Sequence, residues 1–127
     1  MRSKLGVRVS IVALILVLIL CIRCVRADNM TTENWLGVGV FSALHLADCA
    51  QTYSAAHDNR FEEGNPFLGK NPTDTRVGTW CATSLITHIA GVNLLPSKLR
   101  PWVQGVSIGM KATTVLYNYT VGVRIKF

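Results

Sequence analysis

Three segments of about twenty residues, each mostly apolar yet each broken by polar groups at helical spacing, restrict this chain to a helical bundle. They are Trp35 to Ala56, Val77 to Leu95 and Trp102 to Val123. No stretch alternates polar and apolar residues over a useful length, so strands are not expected. Pro96-Ser97-Lys98-Leu99-Arg100-Pro101 is short enough to join the last two segments as a tight helical hairpin. The connection from His57 to Arg76 is longer. It gathers Asp58, Arg60, Glu62, Glu63, Lys70, Asp74 and Arg76 with two Asn-Pro pairs, and it must lie in water.

Composition decides what surrounds such a bundle. The chain has 127 residues, of which 50% are hydrophobic and only 16% charged, and its mean hydropathy is +0.33. That apolar content excludes disorder, and the length excludes a large multidomain enzyme. The net charge of +6 comes from 13 Lys and Arg against 7 Asp and Glu. These cations sit between and beyond the apolar runs, not in a basic stripe with interleaved aromatics, so no nucleic-acid partner is expected. The reading is an all-α, small polytopic transmembrane bundle with the lipid bilayer as its first partner.

Residues 1–27 read as a signal peptide or signal-anchor helix. Arg2, Lys4 and Arg8 precede fourteen nearly all aliphatic residues, Val9 to Ile22, and a small residue follows at Ala27. Cys21 and Cys24 are filler within this leader. With the N-terminus inside and four spans, eight Lys and Arg fall inside and four outside, namely Arg23, Arg26, Lys98 and Arg100, while Lys111 lies within the last span. The long connection and the C-terminus are therefore expected in the cytoplasm, with the protein multi-pass in the plasma (inner) membrane.

Polar residues inside the spans carry the functional information. Gln104, Ser107, Lys111, Thr114 and Asn118 recur at steps of 3, 4, 3 and 4, one stripe of a helix. The same helix would turn Ile108, Val115 and Val123 to lipid. His45, Asp48 and Thr52 share one face of the first span, and Ser84, Thr87, His88 and Gly91 one face of the second. At ~1.5 Å per residue, His45, His88 and Lys111 each lie about 16 Å from the cytoplasmic end of their spans, with Asp48 one turn nearer. An intramembrane polar cluster of His45, Asp48, Thr52, His88 and Lys111 is thus predicted, centred on an Asp48–Lys111 ion pair with a histidine on either side. Isolated charges at that depth cost several kcal/mol each, and pairing or facing a cavity resolves the cost. Such a pair serves either to lock helix register or to furnish a functional pocket. Histidines at equal depth also suit a proton relay, or metal or haem ligation, but no cysteine ligand cluster accompanies them, and no metal or cofactor is expected.

Gly105 and Gly109 form a small-xxx-small pair for helix packing, and Gly39, Ala43 and Ala47 repeat the spacing, for backbone approach within the bundle or for homodimerisation. Cys49 and Cys81 fall at broadly similar depth, where they could approach each other, but buried free thiols are the expectation in lipid. Asn29-Met30-Thr31 matches a glycosylation acceptor, which matters in a eukaryotic secretory setting.

One pattern resembles a known family. Asp48-Cys49-Ala50-Gln51-Thr52, then Glu63-Gly64-Asn65-Pro66, then an intramembrane Lys111, are similar to a family of small bacterial and phage integral membrane proteins of unknown function. The likeness covers roughly residues 40–120. Where the family often has a glycine ahead of the Glu, this chain has Asn59-Arg60-Phe61. The resemblance implies a compact membrane bundle in which Asp48, Thr52, Glu63, Asn65, Pro66 and Lys111 matter jointly, and it supplies no activity. In physical terms Glu63 and Asn65 are suited to cap helix ends, while Pro66 stops the helix and turns the chain.

Enzymatic templates are missing. There is no Gly-rich phosphate loop, no zinc-type cluster in the wet loops and no nucleophile elbow, so no catalytic residue is assigned. Glu62 and Glu63 would point about 100° apart on a helix and make a poor acid/base pair. The expected function is that of a membrane-embedded structural, interaction or accessory protein, partnered by itself or by another membrane protein. The alternatives are a pore former of the phage holin type, and an intramembrane redox or proton-handling protein using His45 and His88.

Overall fold

The structure is a computed structural model that describes residues 29–61 and 64–125. The leader, with Cys21 and Cys24, and Glu63 of the loop motif lie outside the described residues. Three α-helices make up the fold: α1 (Thr32–Ala56), α2 (Asp74–Leu94) and α3 (Arg100–Thr120), with no strand among the described residues.

Local chemistry sets the helix starts. The Thr31 hydroxyl accepts the Asn34 amide N–H at 3.3 Å and the Asn34 side-chain amide at 2.7 Å, which satisfies one of the four donors that a helix N-terminus leaves unpaired. The Thr73 hydroxyl does the same for Arg76 N–H at 3.3 Å, and Asp74 in the first turn of α2 complements the helix dipole. Helix α3 has no side-chain cap. Pro101 instead occupies its first turn, where a missing N–H costs nothing.

Helix α1 ends at Ala56, well before Asn65-Pro66, so Pro66 does not stop a helix as the sequence suggested. The stop comes earlier because Asp58 offers the backbone an alternative. Its carboxylate accepts Arg60 N–H at 3.2 Å and the Arg60 guanidinium at 2.9 and 2.7 Å, which raises the guanidinium above its ordinary pKa. Asn65 builds a turn of its own: its Oδ1 accepts Phe67 N–H at 3.0 Å, and its carbonyl accepts Leu68 and Gly69 N–H at 3.0 and 3.1 Å. Gly69 closes that turn with φ of +76°, a value that favours glycine.

The helices run up, down and up. Helix α1 packs against both others, while α2 and α3 touch each other little. Helix α2 is antiparallel to α1, since Phe41 stacks on His88 near one end and the Tyr53 hydroxyl donates to Asp74 at 3.2 Å near the other. Helix α3 is parallel to α1, with Gln104 opposite Asn34, Lys111 opposite Asp48 and Asn118 opposite Gln51. Residues 57–61, 64–73 and 121–125 thus share one end of the bundle.

The interior is as polar as it is apolar, while many large apolar side chains lie outside. Asn34, His45, Gln51, Ser54, Arg100 and Gln104 are buried beside Val38, Phe41, Leu68, Val77, Val92 and Val123. Meanwhile Trp102 is 76% exposed, Leu36 and Met110 68%, and Ile86 66%. Among the described residues no helix is long and apolar enough to cross a membrane. The expected lipid-facing set on α3 needs correction: Val123 is buried, and Ile108 and Val115 are half-buried. Gly122, with φ of +95°, turns the chain after Thr120, so that Val123 N–H returns to the Asn118 carbonyl at 2.9 Å.

The within-bundle reading of the small-residue stripes also needs correction. A Cβ added at Gly39, Gly105 or Gly109 would meet nothing within 4 Å, so these glycines bring no two of the described helices together. The intimate approach is at Gly37, where a Cβ would fall 2.6 Å from Gln104 Oε1.

Candidate functional site

Because α2 and α3 diverge over α1, a cavity of about 570 Å³ opens between the three helices. Asp48 and Thr52 of α1 and Lys111 of α3 line it, and Asn65 of the loop closes its end. Four of the six residues expected to matter jointly, Asp48, Thr52, Asn65 and Lys111, therefore border one cavity.

Lys111 Nζ donates to Asp48 Oδ2 at 2.5 Å. The two side chains are 24% and 13% exposed, so the pair looks onto the cavity and is not sealed. One turn further along α1, Gln51 Nε2 donates to the Val115 carbonyl at 3.2 Å, and Gln51 Oε1 accepts Asn118 Nδ2 at 3.2 Å. Toward the opposite end, Gln104 Nε2 donates to the Asn34 carbonyl at 2.8 Å. Together these contacts form a polar ladder along the α1–α3 seam, and each rung satisfies groups that would be costly to bury alone. Of the remaining α3 stripe, Ser107 is half-buried, and the Thr114 hydroxyl donates within its own helix to Met110 at 3.0 Å.

The histidines belong to the other seam. His45 is 1% exposed, and its Nε2 lies 3.0 Å from the Cys81 carbonyl and 3.1 Å from Ser84 Oγ. His88 stacks on Phe41 with ring centroids 3.5 Å apart, and its Nε2 is buried without a partner among the described groups. The ion pair is therefore set between α1 and α3, while His45 and His88 face the α1–α2 contact. The expected arrangement of one histidine on either side of the pair is not what forms.

Cys49 and Cys81 are not free thiols. They form a disulfide between α1 and α2 with a Cα–Cα separation of 6.1 Å and a sequence separation of 32. Expecting free thiols overlooked helix register: antiparallel packing sets Cys49 directly opposite Cys81. A cross-link closing a loop of that size stabilises the fold by about 3 to 4 kcal/mol in the chain-entropy treatment.

Two residues with structural weight escaped the sequence reading. Arg100, counted there among the outside charges, is fully buried, and its guanidinium donates to the carbonyls of Leu95 at 2.9 Å, Asn93 at 3.2 Å and Asn29 at 3.1 Å. It ties the C-terminus of α2 to the segment before α1. The available signal was its place next to a helix C-terminus, whose carbonyls need donors. Gln51 lies three residues after Asp48 and so shares its face as closely as Thr52 does.

No protein-family model, curated protein or solved structure matches this chain.

Proposed function

We propose that this chain is a small integral membrane protein of the interaction or accessory kind, with its apolar faces in lipid and the Asp48–Lys111 cleft open to a polar group on a partner membrane protein. The observation that carries the reading is this distribution, with amides and charges sharing the interior and large apolar side chains exposed along α1 and α3. A bundle dissolved in water would expose those apolar side chains at heavy cost.

Aromatic placement supports the same reading. Exposed Trp35 and Trp102 stand at one end of the bundle, and exposed Tyr53, Tyr117 and Tyr119 at the other. At ~1.5 Å per residue the two groups are about 22 to 27 Å apart, near the ~30 Å hydrocarbon layer whose borders favour Trp and Tyr. On α3 averaging hydropathy mixes an apolar outer face with the inward polar stripe, whereas the exposed face of α2 carries Thr75, Thr79, Thr83 and Thr87.

Beyond residue 28, Arg60, Lys70, Arg76 and Arg124 belong to the end bearing the long loop, against Lys98 at the opposite end once Arg100 is spent on carbonyls. This distribution supports a cytoplasmic loop and C-terminus in the plasma (inner) membrane. The cleft favours interaction over a mere register lock, since a lock has no need of an open cavity beside it.

Alkaline carbonate extraction tests the setting: the protein is expected to stay in the membrane pellet until detergent is added, and release without detergent overturns the reading. Blue-native sizing tests the partner. The wild type is expected in a larger complex that Thr114→Trp, which fills the cleft, disperses; migration of the wild type as the bare chain contradicts the interaction role.

A further inference from the structure

We propose that His45, Cys49 and Cys81 form a redox-gated site for a thiophilic divalent cation of tetrahedral preference, zinc(II) being the probe, which is open only when the disulfide is reduced. This inference does not depend on whether the bundle lies in a membrane. His45 stands one helical turn before Cys49 on α1, and its Nε2 lies 3.6 Å from Cys49 Sγ. The ligand atoms of the three residues all fall within 4.8 Å of one another. Two sulfurs on a tetrahedral zinc, each at ~2.3 Å, sit about 3.8 Å apart. The cysteines, with Cα atoms 6.1 Å apart, can span that gap by side-chain rotation without moving the helices.

The chemistry balances in two steps. A dithiol reductant gives two electrons and two protons to the Cys49–Cys81 bond, leaving two thiols and becoming a disulfide itself. A divalent cation then displaces both thiol protons and takes two thiolates and the Nε2 lone pair of neutral His45. In the oxidised protein Nε2 faces the Cys81 carbonyl at 3.0 Å, so on metal binding the ring proton passes to Nδ1. Nδ1 is a buried atom that no described group engages. Cys49 and Cys81 border the cavity beside the Asp48–Lys111 pair, and this leaves the fourth metal position facing open space, as in zinc sites that keep a water or bind a ligand. Disulfide and metal compete for the same sulfurs, so each state excludes the other.

The test uses the full-length chain carrying Cys21→Ser and Cys24→Ser, which removes the leader thiols, in oxidised form and after reduction with a phosphine that does not chelate metal. Bound zinc is measured by elemental analysis after gel filtration, and cobalt(II) substitution is read by its absorption spectrum. The reduced protein is expected to hold about one zinc per chain and the oxidised protein none. Cobalt is expected to give thiolate charge-transfer and tetrahedral bands. His45→Ala is expected to weaken zinc binding by at least about tenfold while its disulfide still forms, which shows that the bundle has folded. Absence of zinc from the reduced protein, equal affinity in His45→Ala, or a cobalt spectrum without thiolate bands overturns the proposal.

Discussion

Asp48→Asn leaves the Lys111 ammonium inside the bundle without a counter-ion, and Lys111→Met strands the Asp48 carboxylate in the same way. Each single change is expected to cost about 3 kcal/mol, the low end for a broken buried pair because Lys111 keeps 24% of its side chain exposed. The double variant is expected to regain most of that loss, and thermal unfolding in detergent across the four proteins measures the coupling. Additive losses would mean that the two groups do not depend on each other. This pair was legible in the sequence because the stripe from Gln104 to Asn118 rests on helix periodicity alone, and a lysine in such a stripe demands a partner. The disulfide and the placement of His88 against Phe41 were not legible. They depend on how far α1 slides along α2, and counting residues from estimated span ends places that only to within about a turn.

At the scale of the helices, the decisive contact is where α3 crosses Gly37. Gly37→Ala drives the Gln104 amide away from the Asn34 carbonyl and is expected to destabilise the bundle by about 1 to 2 kcal/mol. Gly105→Ala and Gly109→Ala meet open space and are expected to be neutral or to stabilise by up to about 1 kcal/mol through helix propensity. Melting curves of the three variants decide this, and a large loss at Gly109 would mean that this face is packed after all. Arg100→Gln cannot reach three carbonyls at once, and its expected effect is fraying where α2 ends, seen as faster amide exchange around Asn93 and Leu95. The three helices could be read from their apolar runs, with ends within a few residues of those observed. Which glycine mattered could not, because small-xxx-small spacing marks a face without saying what covers it.

For the molecule as a whole, a compact helical fold followed from length, apolar content and the two connections, whereas its polarity became visible only once side chains had sides. Reduction of the Cys49–Cys81 bridge is expected to lower stability by about 3 kcal/mol and to leave helix content intact under native conditions, a result checked by circular dichroism with and without reductant. The central claim is that the bundle wears its apolar residues outward into lipid. It is tested most directly by the fluorescence of a tryptophan introduced by Met110→Trp, a position 68% exposed midway along α3, in a Trp35→Phe, Trp80→Phe, Trp102→Phe protein reconstituted into phospholipid vesicles. Bromines on the acyl chains are expected to quench this residue strongly while iodide in the buffer leaves it bright; strong quenching by iodide with none from the brominated lipid would contradict the account.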